Sequence, residues 1–518
     1  MVPRTRLSSI GLRVRSSAAP RSLRFLFPLC MVSLLAACAV GPDFKPPAPP
    51  DGGDSYTPSP IPAQTVSAPG EAGQAQRFVP GQDIPAQWWS LFQSPALDQL
   101  VRDALKRSPS LASAQAALRQ ANENYRAESG ELLYPSVNAQ LGFNREKSSR
   151  LTGTGGVGNL YNASVNVSYT LDVFGANKRQ LEGLSALVDY QQYQLEAAYL
   201  TLTSNLVTTA IREASLRAQL QATQDILDAQ QKQLDVIQQQ FKFGAIGRGT
   251  VLLQQNTVAQ TRATVPPLEK SLAQTRHQLS VYAGQLPSEA GLPQFELASL
   301  QLPQDLPLSL PSSLVRQRPD VRASEALLHQ ASAQIGVATA NLYPQLTLSG
   351  SYGSVATAFP ALLRSSSAIW GLGAGLAQPV FNGGALNAKR RAAIAAYEGA
   401  AADYRSTVLV AFQNVADSLR ALDSDASALK EQAQVESLAR ESLDLNTQQF
   451  KLGAISYLTL LDAQRTYQQA RVGLVQAQAA RYADSAALFQ ALGGGWWNRP
   501  ALEAASTSTH LPVAARAD

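Results

Sequence analysis

The feature that most constrains this chain is a turn written twice. QQFKFGAI occupies 239–246 and QQFKLGAI occupies 448–455, an offset of 209 residues. Tyr134-Pro135 recurs as Tyr343-Pro344 at the same offset of 209. RSPSLASAQAAL at 107–118 has its counterpart in RPDVRASEALL at 318–328. Similarity sustained at one period marks a duplicated structural unit, and the contents of each copy then set the architecture.

Each copy contains a long run without proline, from Pro135 to Pro266 and from Pro379 to Pro500. Within them, 176–243 and 384–451 are rich in Ala, Gln and Leu with spaced charges, all good helix formers. A helix of that length extends about 100 Å at 1.5 Å per residue. It cannot sit inside a compact globule and needs coiled-coil partners. Gly244 and Gly453 suit the left-handed bend that returns the chain as second helices over 249–283 and 456–492.

Ahead of each helical hairpin the period changes to two. Val137, Ala139, Leu141 and Phe143 alternate with Ser136, Asn138, Gln140 and Gly142. Tyr161 to Leu171 alternate likewise with Asn162 to Asp172, Leu346, Leu348 and Tyr352 do so with Ser and Thr, and Trp370 to Leu376 do so with Gly. Segments of about ten residues with aromatics near their ends fit strands facing lipid on one side and water on the other. A half-buried sheet in a soluble domain shows the same alternation. The long helices favour the membrane reading, and a plain coiled-coil scaffold would leave the strands without purpose. Segments 145–159, with GTGGVG at 153–158, and 354–366 read as loops; no helix follows those glycines to make a phosphate cradle.

At the N-terminus, 1–37 carry six Arg and no acid. Without those six, the 43 Lys and Arg fall to 37 against 38 Asp and Glu, so the rest is near neutral. That gives no basic footprint for nucleic acid. An apolar stretch from Phe25 to Leu35 and then Leu35-Ala36-Ala37-Cys38 compose a lipoprotein signal peptide. Cys38 is the one cysteine outside the removed segment, so no internal disulfide is open to it and lipidation is its natural use. An ordinary signal peptide with an incidental Cys is the alternative. Ala39 after the cysteine directs sorting to the outer membrane.

The organisation expected is a signal peptide over 1–37 and a Pro-, Gly- and Ser-rich extended tether over 38–95, pinned by Trp88-Trp89. A first repeat covers 96–284, with strands at about 134–146 and 160–172 and a hairpin at 176–283. A connector with six prolines follows over 285–319. The second repeat covers 320–495, with strands at about 343–354 and 367–380 and a hairpin at 384–492, and a disordered tail occupies 496–518. Four strands cannot close a barrel, and open edges are not tolerated in hydrocarbon. The chain must oligomerise: two copies give eight strands and a filled interior, three give twelve and a lumen.

The lipobox, CAVGPDFKPP at 38–47, YTLDVFG at 169–175, AQPVFNGG at 377–384 and the paired tips resemble the TolC-like outer-membrane efflux protein family over about 38–495. Within it, the chain is similar to NodT-type lipoproteins of resistance-nodulation-division pumps. The resemblance implies an α+β membrane protein. Three chains would share a twelve-stranded barrel, continued by a periplasmic α-helical barrel. It also implies an outer-membrane exit channel for small molecules, with a periplasmic adaptor and an inner-membrane resistance-nodulation-division transporter as partners. The exit duct of a one-step protein secretion system is the alternative use of such a fold, and a lipid-anchored coiled-coil scaffold a more distant one.

By the same resemblance, Leu458 and Asp462, spaced i, i+4 on one helix face, form the periplasmic aperture as an apolar ring and an acidic ring. Without it, Leu458 reads as a coiled-coil seam residue and Asp462 as solvated. Gly244, Ala245, Ile246, Gly453, Ala454 and Ile455 are the tips expected to dock the adaptor. Where some relatives carry a Tyr and Arg latch, this chain has Phe450 and Ile455. No catalytic residues, metal site or cofactor is expected: His277, His329 and His510 lie far apart, and no cysteine–histidine spacing or nucleophile elbow occurs.

Overall fold

The computed structural model describes residues 39–48, 55–148, 155–289 and 291–499. The signal peptide, Cys38 and residues 500–518 lie outside them. Two compact units are formed by interleaved segments, the first from residues up to 43, 128–182 and 332–394, the second from the remainder.

The first unit is built on a four-stranded antiparallel sheet, β2 (Ser136–Ser148), β3 (Gly156–Leu171), β5 (Gln345–Ala356) and β6 (Ala368–Ala377), in the order β2-β3-β5-β6. A short parallel pair elsewhere supplies β1 (Arg77–Pro80) and β4 (Asp305–Leu308). β3 starts earlier than its alternation does. Gly156-Val157-Gly158, expected in a loop, pair with Ser148, Lys147 and Glu146, because glycine lacks the side-chain period yet keeps both backbone hydrogen-bonding groups. The first described residues pack at the strand-to-helix junction. Val40 N–H donates to the Phe174 carbonyl at 3.1 Å, and Arg179 meets Asp43 at 2.6 Å. Gly175 there has φ +78°, and an added Cβ would lie 2.7 Å from Ala39.

The helices are α1 (Pro95–Arg107), α2 (Pro109–Leu133), α3 (Ala176–Lys242), α4 (Arg248–Tyr282), α5 (Pro311–Gln317), α6 (Pro319–Ala340), α7 (Ala385–Lys451) and α8 (Tyr457–Ala491). α3 and α7 each have 67 residues and α4 and α8 each have 35, and every one of these boundaries is displaced by 209. Buried positions on α7 run Val415, Leu419, Leu422, Ala426, Leu429, Ala433 and Glu436. Steps of four and three residues average 3.5, which is a coiled-coil seam. α4 continues through Pro266 and Pro267.

In the second unit a core gathers Trp88, Trp89 and Phe92 with Leu206, Phe295, Leu314 and Phe489. Residues 55–95, expected to be part of an extended tether, are packed here. β1 pairs with β4 from the connector, Arg77 opposite Asp305. Gln76 Nε2 donates to the Pro303 carbonyl at 2.8 Å and to Ser485 Oγ at 2.9 Å. Proline-rich composition hid this because the docking uses backbone groups and partners more than 200 residues away, which leave no local period. Likewise Trp496–Asn498, expected in the tail, form an ordered turn whose Trp496 Nε1 donates to the Gln317 carbonyl at 2.6 Å.

Candidate functional site

Register turns the alternation of four strands into one continuous face. Ala139, Val165, Tyr352 and Trp370 stand in a row across the sheet, and Val137, Val167, Gly350 and Leu372 form the next. On the opposite face Asn138, Asn166, Ser351 and Gly371 align, as do Ser136, Ser168, Ser349 and Gly373. The apolar face is uncovered: Val137, Leu141, Tyr352, Trp370, Leu372 and Leu376 are all exposed. Aromatic pairs mark both ends of the strands, Phe143 with Tyr161 at 4.8 Å and Phe174 stacked on Tyr343 at 4.7 Å between ring centroids. β2 and β6 are the edges, each paired on one side. Among the described residues no helix is long and apolar enough to cross a membrane. The sheet is the surface suited to lipid, with a polar side away from it.

The two tips share one backbone geometry. Gly244 has φ +73° and Gly453 φ +74°. Gly244 N–H donates to Phe241 O and Ala245 N–H to Gln240 O, both at 2.9 Å; Gly453 N–H and Ala454 N–H repeat this to Phe450 O at 3.0 Å and Gln449 O at 2.9 Å. This is the Schellman closure of a helix, which needs a left-handed residue after the last turn. No atom lies within 4 Å of a Cβ added at either glycine, so the requirement is φ and not space. Ala245 and Ala454 are exposed and Ile455 is half-buried, while Ile246 rests against the hairpin core. Phe243 and Leu452, the one difference between the repeated octapeptides, are 87% and 84% exposed.

Beyond the second tip, Ser456 caps α8, its side chain accepting from the Thr459 N–H. The first turns of α8 then divide into two faces. Tyr457, Leu460 and Leu461 pack against Leu234, Ile237 and Val251 of the first hairpin. Leu458 is 62% exposed and Asp462 is exposed beside it. Leu458 is therefore outside the seam within the chain, and both residues look away from it. The corresponding first-copy positions are Gly249 and Leu253, which carry no acid.

Phe450 packs against the cluster at the start of α8. Its ring lies 5.3 Å from that of Tyr457. The Tyr457 hydroxyl donates to Gln254 Oε1 on α4, and Gln254 Nε2 donates to the Gln230 carbonyl on α3 at 2.7 Å. Burial pushes the Tyr457 phenol up, keeping it a neutral donor. This link joins the second hairpin to the first. Sequence reasoning missed it, although a Tyr inside an apolar seam is a signal, since its hydroxyl needs a partner when buried. Deeper in the same unit, Glu213 is fully buried and bridges Arg217 at 2.8 Å to Arg276 of α4 at 2.5 Å. No cluster of His, Cys, Asp and Glu suited to a metal occurs among the described residues.

Comparison with known proteins agrees with these features. A model of the outer membrane efflux protein family matches residues 100–285 and 310–494, one segment per repeat. The pyoverdine export outer membrane protein OpmQ of Pseudomonas aeruginosa is 32% identical over 79% of this chain and 87% of its own length. The cation efflux system protein CusC of Escherichia coli is 26% identical over 91% of this chain and 98% of its own. Among solved structures, the outer-membrane channel OprN superimposes with a TM-score of 0.79 at 26% identity, over 89% of this chain and 100% of that one.

Proposed function

This chain belongs to the outer membrane efflux protein family, and from that premise we propose that it is the passive exit duct of a tripartite pump. One observation carries the reading: an apolar face continuous through four strands whose outermost two, β2 and β6, have no partner on their outer side among the described residues. Such a sheet satisfies its backbone in lipid only by joining other copies. Three copies give twelve strands around a lumen, lined by the Ser, Asn, Gln and Gly face. Acyl chains on Cys38 would add a second hold on the outer membrane, close to the junction where Val40 and Asp43 are bound.

The long hairpins would continue the passage through the periplasm. Their tips, Gly244-Ala245-Ile246 and Gly453-Ala454-Ile455, would meet the periplasmic adaptor with small side chains and accessible backbone. Energy would come from an inner-membrane transporter of the resistance-nodulation-division class. Relatives named for pyoverdine export and for cation efflux support efflux of solutes as the task.

Leu458 and Asp462 would set the closed state. Their exposure, on the side of α8 opposite the seam, supports a position facing the axis. Around a threefold axis they make a ring that resists wetting and a ring that attracts cations. Single-channel recording in planar bilayers tests this. Leu458→Ala should raise resting conductance, Asp462→Ala should weaken block by multivalent cations from the periplasmic side, and the double variant should leak most. A double variant that conducts and is blocked like the parent would place the constriction elsewhere.

A further inference from the structure

The repeat of 209 residues relates the strands as well as the helices. Displaced by 209, the β2–β3 partners Ser136 and Ser168 become the β5–β6 partners Gln345 and Ala377. The seam between the two repeats inside the chain, β3 on β5, is therefore a template for the outer seam, β6 on β2 of a neighbouring copy. In the inner seam Val167 opposes Gly350, Val165 opposes Tyr352, Ala163 opposes Ser354 and Tyr161 opposes Ala356. Moved by one repeat, these pairs become Leu376 opposite Leu141 of the next copy, Ala374 opposite its Phe143, Leu372 opposite its Arg145 and Trp370 opposite its Lys147. The apolar face of one copy then runs into the apolar face of the next, as a sheet buried on one side requires.

Two cations stand on that face. Pairing along β2 is unbroken from Ser136 to Ser148. Arg145 and Lys147 therefore share the side of Val137, Leu141 and Phe143, while Glu146, the one acid in the four strands, falls on the other. Both cations are exposed, and neither has an ion-pair or hydrogen-bond partner among the described residues. Phe143 and Tyr161, with ring centroids 4.8 Å apart, mark where the apolar band ends. Arg145 and Lys147 lie about 7 and 13 Å beyond Phe143 along the strand. With the helices in the periplasm, this is the level of the outer-leaflet headgroups. The only charge from β5 through β6 is Arg364, also exposed, so no acid from that hairpin answers the pair. Like charges this close repel unless an anion lies between them. We propose that Arg145 and Lys147 of one copy, with Trp370 of the next, form a site for the phosphate of a phosphorylated glycolipid in the outer leaflet. The guanidinium donates two N–H groups to phosphate oxygens and the ammonium adds a point charge. Trp370, 75% exposed, lies beside them, at the boundary of headgroups and acyl chains where tryptophan settles. The site needs two copies, so it rests on the shared sheet proposed above.

Native mass spectrometry of the full chain in detergent tests it, with lipid A as probe and dephosphorylated lipid A and inorganic phosphate for comparison. Lipid A should bind the assembled copies about tenfold more tightly than its dephosphorylated form. Inorganic phosphate should not displace it. Arg145→Gln with Lys147→Gln should cost about tenfold in lipid A affinity and leave the dephosphorylated form within about twofold. A second measurement checks the seam. Lys147→Cys with Trp370→Cys should oxidise to covalently linked copies, because these positions oppose each other across the seam but stand on opposite edges of the sheet within one chain. Lys147→Cys with Ala374→Cys, displaced by about 13 Å along the strand, should not. Single copies that never cross-link would overturn the shared sheet and the site with it. Assembled copies that cross-link through Ala374 and not Trp370 would overturn the site and leave the shared sheet standing. So would lipid A displaced by phosphate, bound no better than its dephosphorylated form, or bound equally by the double Gln variant.

Discussion

Arg481, on α8, donates to the backbone carbonyl of Ala72, at 2.9 Å and 409 residues away in sequence. Its guanidinium is fully buried and also serves the Gln74 carbonyl at 3.2 Å, Thr65 Oγ1 at 3.1 Å and Gln76 Oε1 at 2.8 Å. One side chain thus organises the stretch from Thr65 to Gln76.

Replacing Arg481 by Met keeps the length and removes every donor. Four acceptors then lose the Arg481 donor, although Thr65 Oγ1 keeps the Gln76 N–H, at a cost of about 3 kcal/mol. Denaturant unfolding should show that loss, and limited proteolysis should open cleavage within 65–76. A protease pattern like the parent's would mean the segment is held by β1 and β4 alone.

Asp484, on α8 with Arg481, has its carboxyl pushed up to about 7, first by burial and then by the hydrogen bond and charge of Asp425, with Arg481 pulling the other way. An unfolded Asp titrates near about 3.9. The folded state therefore holds a proton that the unfolded chain has released. This contribution is fully present below about pH 4 and is lost as pH rises through about 7. With solvent screening it is on the order of 1 kcal/mol. Asp484→Asn should flatten the fall in melting temperature between about pH 4 and 8, and parallel curves for the two proteins would refute it.

Tyr457→Phe keeps the ring against Phe450 and removes the hydroxyl bound to Gln254. Stability should drop by about 1 kcal/mol. If the two hairpins must separate for the passage to widen, bursts of opening should lengthen in bilayer recordings. Unchanged dwell times would confine the link to packing.

At the second tip, Gly453→Ala should cost about 1 kcal/mol through backbone strain alone, since its Cβ meets nothing. Gly453→Arg adds a bulky charge to the surface proposed to meet the adaptor. Export assays in the presence of the pump partners should show near-complete loss with Arg and a small loss with Ala, at matched protein levels. Full export with Arg would argue against contact there.

Cys38→Ser should abolish incorporation of radiolabelled palmitate. Outer-membrane recovery should fall only modestly, because an acyl anchor contributes little beside a spanning barrel. Label persisting on the Ser variant would move the modification to another residue.

The strands and hairpins were legible because their periods are local. Val137 to Phe143 alternate by two, the 176–243 run has no proline, and each copy repeats the other. The faces of α8 were half legible: Leu458 and Asp462 share a side by spacing, but nothing in spacing says which side is open. Beyond the Trp88-Trp89 anchor, which the sequence announced and the core contains, the packing of 55–95 was not legible. Its partners, Asp305 for Arg77 and Arg481 for Ala72, are remote, and several contacts have on one side a backbone atom that every sequence carries. Tyr457 and Gln254 were missed for the same reason, being 203 residues apart.

The equal lengths of α3 and α7, and of α4 and α8, restrict how this protein can diverge. One residue inserted in α3 alone shifts everything beyond it by about 1.5 Å and rotates it by about 100°. Leu234 and Ile237 would then turn away from Tyr457, Leu460 and Leu461. An insertion survives only if a matching one arises in the other hairpin, or if whole multiples of the seam repeat are added. Natural variation in length should therefore collect between β2 and β3 and between β5 and β6, while the hairpins change their letters and keep their count.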